Sequence, residues 1–156
     1  MTKSKTKIVL TGGCFDIFHY GHLYFLKKAG SLGNYLIVAI ESDKRVRKLK
    51  GPGRPVHSQK QRKEILESLN FVDKVIVLKD NMSDKDYQEF VARIRPDIIA
   101  VTEGDAFIEK KRSHAEKVGA KVVVISKIKN YSTSAIARSL SPLEANGVFL
   151  ELQKEE

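Results

Sequence analysis

A single α/β domain, built on a parallel sheet of about five strands with helices on both faces, is the fold class this chain predicts. Three observations carry it. Short, nearly continuous apolar and β-branched runs alternate with amphipathic stretches from one end to the other. The order is strand, helix, strand throughout, which calls for right-handed crossovers. At 156 residues, with 42% hydrophobic composition, the chain has material for one proper core.

The elements follow in order. The strands are expected at residues 8 to 10, 35 to 40, 74 to 78, 97 to 101 and 121 to 125, where Ile, Val and Leu dominate. The helices are expected at residues 23 to 30, 59 to 69, 84 to 94 and 107 to 118. Ser58 is a candidate N-cap for the second, Arg95-Pro96-Asp97 ends the third and opens a strand, and Gly119 stands where a helix C-terminal glycine belongs. Lys50-Gly51-Pro52-Gly53-Arg54-Pro55-Val56 can be neither regular helix nor central strand and is read as a loop returning to the sheet's carboxyl edge. The arrangement is Rossmann-like. Its expected extent is residues 7 to 145, with a flexible basic tail at 1 to 6 and a C-terminal tail at 146 to 156.

Composition narrows the function. No run of about 18 apolar residues is present to span a bilayer, so a cytoplasmic protein that does not engage membranes is expected. The lone cysteine, Cys14, leaves no internal disulfide and no cysteine cluster for zinc. It reads either as a small fitting residue or as a nucleophile. The formal net charge of +9 is concentrated between Asp43 and Lys63, where nine Lys and Arg residues stand against one acid. Such a block is a solvated face, a nucleic-acid footprint, or the wall of a site for small polyanions. Aromatic residues do not interleave with the lysines, so nucleic acid is not the expected partner.

Thr11 to His22 (Thr-Gly-Gly-Cys-Phe-Asp-Ile-Phe-His-Tyr-Gly-His) follow the first strand directly, at the sheet edge where open parallel sheets bind ligands. His19 and His22 beside Gly21 read as a zinc pair, as structural histidines, or as anion donors at a helix start. Zinc lacks further ligands, since His57 and His114 have no supporting spacing. Helix amides and imidazole N–H groups aimed at phosphate make the better physical account. Neither a Gly-x4-Gly-Lys-[Ser/Thr] loop nor a third glycine in dinucleotide spacing is present, which removes the kinase and dehydrogenase readings. Far downstream, Ser132-Thr133-Ser134 precede a helical stretch. One hydroxyl suffices as a cap, and the surplus would form a second anion cradle.

Together these residues resemble the HxGH nucleotidyltransferase superfamily, in its cytidylyltransferase-like branch, over nearly the whole chain. Gly13 to His22, Lys48-Leu49-Lys50-Gly51, Arg54-Pro55-Val56, Gln61-Arg62, Val72-Asp73 and Glu103-Gly104-Asp105 are most similar to the adenylyltransferase domain that makes ADP-heptose. His57-Ser58 with Arg62-Lys63 and Ile65-Leu66-Glu67 also resemble glycerol-3-phosphate cytidylyltransferases, and FAD synthetases share the frame more loosely.

The resemblance implies that a substrate phosphate attacks the α-phosphorus of a nucleoside triphosphate, ATP before CTP, and expels pyrophosphate. The acceptor would be a small phosphorylated sugar or polyol. His19, His22, Lys48 and Lys50 would then be catalytic. Gly12, Gly13, Cys14, Phe15, Asp16, Gly21, Glu103, Gly104, Asp105, Ser132, Thr133 and Ser134 would bind nucleotide, with Asp16 holding the motif loop. Arg62 and Arg138 would bind phosphate or acceptor. Mg²⁺ would arrive on the nucleotide without protein ligands, and a homodimer is common in the family. The C-terminal motif departs from the family pattern, with Tyr131 in place of an aliphatic residue and Arg138 one position late. A nucleotide- or nucleic-acid-binding module without turnover is the rival of another class.

Overall fold

The computed structural model describes residues 5 to 129, 131, 132, 135 and 136. Five parallel strands, β1 (Ile8–Gly13), β2 (Tyr35–Ile40), β3 (Lys74–Val77), β4 (Ile98–Thr102) and β5 (Lys121–Ile125), form one sheet in the order β3-β2-β1-β4-β5. Five helices connect and cover them: α1 (Tyr20–Gly30), α2 (Asp43–Lys50), α3 (Gln59–Glu67), α4 (Asp84–Ile94) and α5 (Ile108–Val118). The predicted class holds.

Alternation along the central strands divides the core in two. Val9, Leu36, Val38 and Ile40 face Leu26 and Ala29 of α1 and Leu66 of α3. Leu10, Ile37, Ala39, Ile99 and Val101 face Phe90 and Val91 of α4 and Ala115 of α5. Register is pinned at the amino edge by two acids placed just before their strands. Asp73 accepts the Leu36 N–H at 2.7 Å, and Asp97 accepts the Ile8 N–H at 2.8 Å.

At the carboxyl edge β1 and β4 part company. They pair only through Val9 with Ile98 and Leu10 with Ile99, and the buried Thr11 hydroxyl then donates to Ala100 O at 3.0 Å. The chain adds β2 and then β3 on one side of β1 and crosses over to add β4 and then β5 on the other, so a crevice opens here. This is where doubly wound sheets bind ligands.

Two expectations need correction. Asp43 to Lys50 is a helix that the hydrophobic pattern does not announce, because only Val46 along it is buried. The Ser42 hydroxyl accepts the Arg45 N–H at 3.2 Å and starts it. The first helix begins at Tyr20 rather than near Leu23, because His19 caps it. Residues 146 to 156 and most of 1 to 6 lie outside the described residues, as do Thr133, Ser134 and Arg138.

Candidate active site

β1 delivers Gly12, Gly13 and Cys14 to the crevice, and the turn that follows is held in an uncommon conformation. Phe15 and Ile17 both have positive φ, 48° and 50°, a region bulky residues seldom enter. Asp16 between them is 1% exposed. Its carboxylate accepts the N–H groups of Ile17, Val56 and His57 at about 3 Å and the Arg54 Nε at 2.7 Å. Burial alone would raise this carboxyl, but the His57 and Val56 amides and the Arg54 guanidinium outweigh it and hold it below the usual range. Asp16 therefore fastens the 54 to 57 loop against the motif turn. Both of its oxygens are buried and engaged within the protein, as holding the motif loop requires.

His19 is the N-cap of α1, and the two histidines cap the helix reciprocally. His19 Nδ1 accepts the Gly21 N–H at 3.1 Å, and His22 Nδ1 accepts the His19 N–H at 3.4 Å. The rings stack with centroids 3.8 Å apart, and Phe15 and Phe18 pack on His22. With each Nδ1 used as an acceptor, the hydrogen-bond network assigns the proton of each neutral ring to Nε2. Burial, followed by the proximity of His19, pushes His22 down to about 3, and burial lowers His19 as well. At neutral pH the pair is two preset N–H donors. Gly21 is obligatory, because a Cβ there would lie 2.9 Å from His19 Cε1 and 3.0 Å from Tyr131 Cβ.

That last contact joins the two ends of the sequence. Tyr131 packs edge-on against Tyr20 at 5.3 Å, so the turn carrying Ser132 abuts the histidine motif. The Ser132 hydroxyl accepts the Ala135 N–H at 3.1 Å, which is the capping role expected of one hydroxyl.

Other predicted residues divide. Lys50, the last residue of α2, lines the crevice, and its charge acts on both His22 and Cys14. Lys48 instead lines an adjoining groove with Lys44, Arg47 and Asn81, which shares Arg45 and Met82 with the crevice, because two residues along a helix turn it by about 200°. Cys14 lines the crevice, and burial pushes its thiol up, which disfavours the thiolate. Asp105 lines the crevice, accepting the Phe107 N–H at 2.8 Å and the Lys111 ammonium at 2.6 Å. Gly104 turns at φ 74°, and Glu103 is exposed beside it, accepting the Lys127 N–H at 3.3 Å.

Arg62 is the clear correction. Its side chain is 0% exposed, and its guanidinium donates to Cys14 O at 2.7 Å, His57 O at 3.1 Å and Asp43 Oδ1 at 2.9 Å. Three of its five N–H donors are held by these groups, and the side chain is shut off from solvent. Arg62 ties the motif turn, the 54 to 57 loop and the start of α2 into one body.

A cavity of about 490 Å³ runs from Gly12 to Cys14 across to α4 and α5. Glu41, Arg45, Tyr87 and Lys111 line it, and sequence reading singled out none of them for a site role. Glu41 could have been found, since it follows β2 directly at the ligand-binding edge. Tyr87 and Lys111 are brought in by helices whose rotation no local motif reveals.

Comparison with known proteins agrees with this geometry. The profile of the cytidylyltransferase-like family matches residues 10–142. "Bifunctional protein HldE" of Aeromonas hydrophila is 40% identical over 136 residues, covering 86% of this chain and 28% of that protein. Its counterpart in Campylobacter curvus is 36% identical over 138 residues, covering 88% of this chain and 28% of that one. This chain thus spans little more than a quarter of the length of the curated relatives it matches. The crystal structure of a lipopolysaccharide core biosynthesis protein from Thermoplasma volcanium superposes with a TM-score of 0.66 at 27% identity, covering 82% of this chain and 100% of that one. A pantoate-β-alanine ligase from Francisella tularensis, 15% identical with a TM-score of 0.59 over 89% of this chain and 67% of its own, shares the fold. The chain belongs to the cytidylyltransferase-like family.

Proposed function

We propose that the chain transfers AMP from ATP to a phosphorylated sugar of the heptose 1-phosphate kind and releases pyrophosphate. The observation that carries this reading is the neutral, stacked histidine pair. Both Nδ1 atoms are committed to backbone amides, so both Nε2–H groups are fixed as donors at the amino end of α1. Donors oriented before the reaction stabilise charge as it grows without costing reorganisation. The likeness to proteins named HldE and to a lipopolysaccharide core biosynthesis protein supports a sugar acceptor.

An oxygen of the acceptor's phosphate attacks the α-phosphorus in line. The new P–O bond forms as the bond from the α-phosphorus to the β-bridging oxygen breaks, and the electron pair leaves on pyrophosphate. Positioning and charge neutralisation do most of the work in such transfers. His19 and His22 would donate to the triphosphate, Lys50 would neutralise the α-phosphate, and Gly12 and Gly13 would let the nucleotide lie against the strand end. Ser132, Thr133 and Ser134 would hold the β- and γ-phosphates, a role supported by the packing of Tyr131 on the histidine motif. Among the described residues no group of three or more His, Cys, Asp and Glu could hold a metal. A divalent cation would therefore arrive on the triphosphate, and no step is assigned to it.

The test is turnover of the purified chain with ATP or CTP, Mg²⁺ and pyrophosphatase, against heptose 1-phosphate, glycerol 3-phosphate and FMN. Phosphate release with ATP and the heptose phosphate is expected. Release only with CTP and glycerol 3-phosphate would establish the polyol cytidylyltransferase alternative, and nucleotide binding without release from any pair would sink the enzyme assignment.

A further inference from the structure

We infer that Glu41, held by Tyr87, reads the hydroxyl groups of the acceptor, so that the acceptor is a polyhydroxylated compound lying with its phosphate toward Lys50 and its hydroxyls toward α4. The inference rests on the proposed reaction and names what that site selects.

Glu41 sits where such a reader must be. Its backbone N–H donates to Gly13 O at 3.1 Å, which places it one strand over from the nucleotide turn. Neighbouring strands are about 5 Å apart, roughly the width of a sugar ring. Both carboxylate oxygens lie 3.0 Å from the Tyr87 hydroxyl. That hydroxyl has one proton to give, and a carboxylate has about four acceptor positions, so most of the capacity of this cavity-lining group is left for a ligand. No cation forms a direct ion pair with Glu41 among the described residues, although Arg45, Lys111 and Arg62 all bear on its charge. A carboxylate accepts from hydroxyls and repels phosphate. Lys50 on the same cavity attracts phosphate, which gives the acceptor its direction, while Lys111 is already paired with Asp105.

A ligand carrying several hydroxyls would fill the open acceptor positions of Glu41, whereas an apolar acceptor would leave them unpaired.

The test uses the full chain, wild type, Glu41→Gln and Tyr87→Phe, with folding checked by thermal melts. Steady-state kinetics with ATP should show the acceptor KM raised at least tenfold by Glu41→Gln and a few-fold by Tyr87→Phe, with the ATP KM changed less than twofold. An unchanged acceptor KM would overturn the inference, and an equal rise in the ATP KM would put the carboxylate on the nucleotide's ribose instead. Calorimetric titration with mannose 1-phosphate and its monodeoxy analogues reads the same claim without turnover. Wild type should bind the parent at least tenfold more tightly than one or more analogues, and Glu41→Gln should lose that preference. Equal binding, or none, overturns the inference even if the enzyme turns over. Preserved discrimination with no turnover would instead overturn the proposed reaction.

Discussion

Burial of His22 couples its protonation to stability, and the sign of that coupling can be worked out. Its folded value is near 3 against an ordinary 6.5, so between these limits the unfolded chain binds the proton and the folded chain does not. Stability is then present above about 6.5 and falls as pH drops toward 3, by at most about 1.4 kcal/mol for each pH unit. Asp16, held low, adds its own loss only below the ordinary 3.8, and Glu41, held high, works in the opposite direction just above 4.5. Comparing wild type with His22→Asn isolates the histidine. Asn keeps an oxygen to accept the His19 N–H and does not titrate, so its melting temperature should fall less between pH 6.5 and 4.5. Parallel curves would contradict a neutral His22. The same variant should lose about 10²- to 10³-fold in kcat, the usual effect of removing one preset donor.

Arg62 teaches a different lesson at this scale. As a basic residue in a basic segment it reads as a phosphate ligand, yet Arg62 and Leu66, four apart, form the buried face of α3. That spacing was visible in the sequence. What was not visible is that the carbonyls of Cys14 and His57, remote in sequence, need a donor at that place. Arg62→Ala should therefore destabilise the fold by about 3 kcal/mol, since two carbonyls and Asp43 lose their partner. Urea unfolding measures this. A stable Arg62→Ala protein whose only defect is a raised acceptor KM would restore the ligand reading.

Among the elements, the long apolar strands and the capped helices were legible because local pattern and tertiary role agree. α2 was not. Asp-Lys-Arg-Val-Arg-Lys-Leu-Lys has one buried side chain, so hydrophobic periodicity is nearly silent, and the helix depends on its cap and on the Asp43 N–H donating to Gln59 Oε1 at 3.0 Å. The positive φ of Phe15 and Ile17 was equally hidden, since nothing in those side chains favours it. Asp16 and its loop contacts hold the turn there. Asp16→Ala should release the 54 to 57 loop, which limited proteolysis would detect as new cleavage near Gly53 and Arg54. Unaltered protease resistance would mean that Arg62 alone suffices to hold the loop.

The whole molecule puts its charge where its topology opens. β1 lies between β2 and β4, the crevice forms at their carboxyl ends, and the chain's excess of Lys and Arg is concentrated in α2, the loop after it and α3. Arg45, Lys50, Lys110 and Lys111 line the cavity itself. A triphosphate approaching such a wall is guided by the field before it makes contact, and salt weakens that guidance because the Debye length shortens from about 30 Å at 0.01 M to about 8 Å at 0.15 M. The value of kcat/KM for the triphosphate should therefore fall several-fold over that range. Lys50→Gln should lower it further and flatten its salt dependence, because a charge inside the crevice has been removed. Lys48→Gln should change the turnover number less than Lys50→Gln does, since Lys48 lines the adjoining groove with Lys44 and Arg47. Stopped-flow binding of a fluorescent ATP analogue at a series of salt concentrations separates these effects. Equal slopes for the two lysine variants would show that only the net charge of the molecule matters, and that the direction in which α2 presents Lys50 does not.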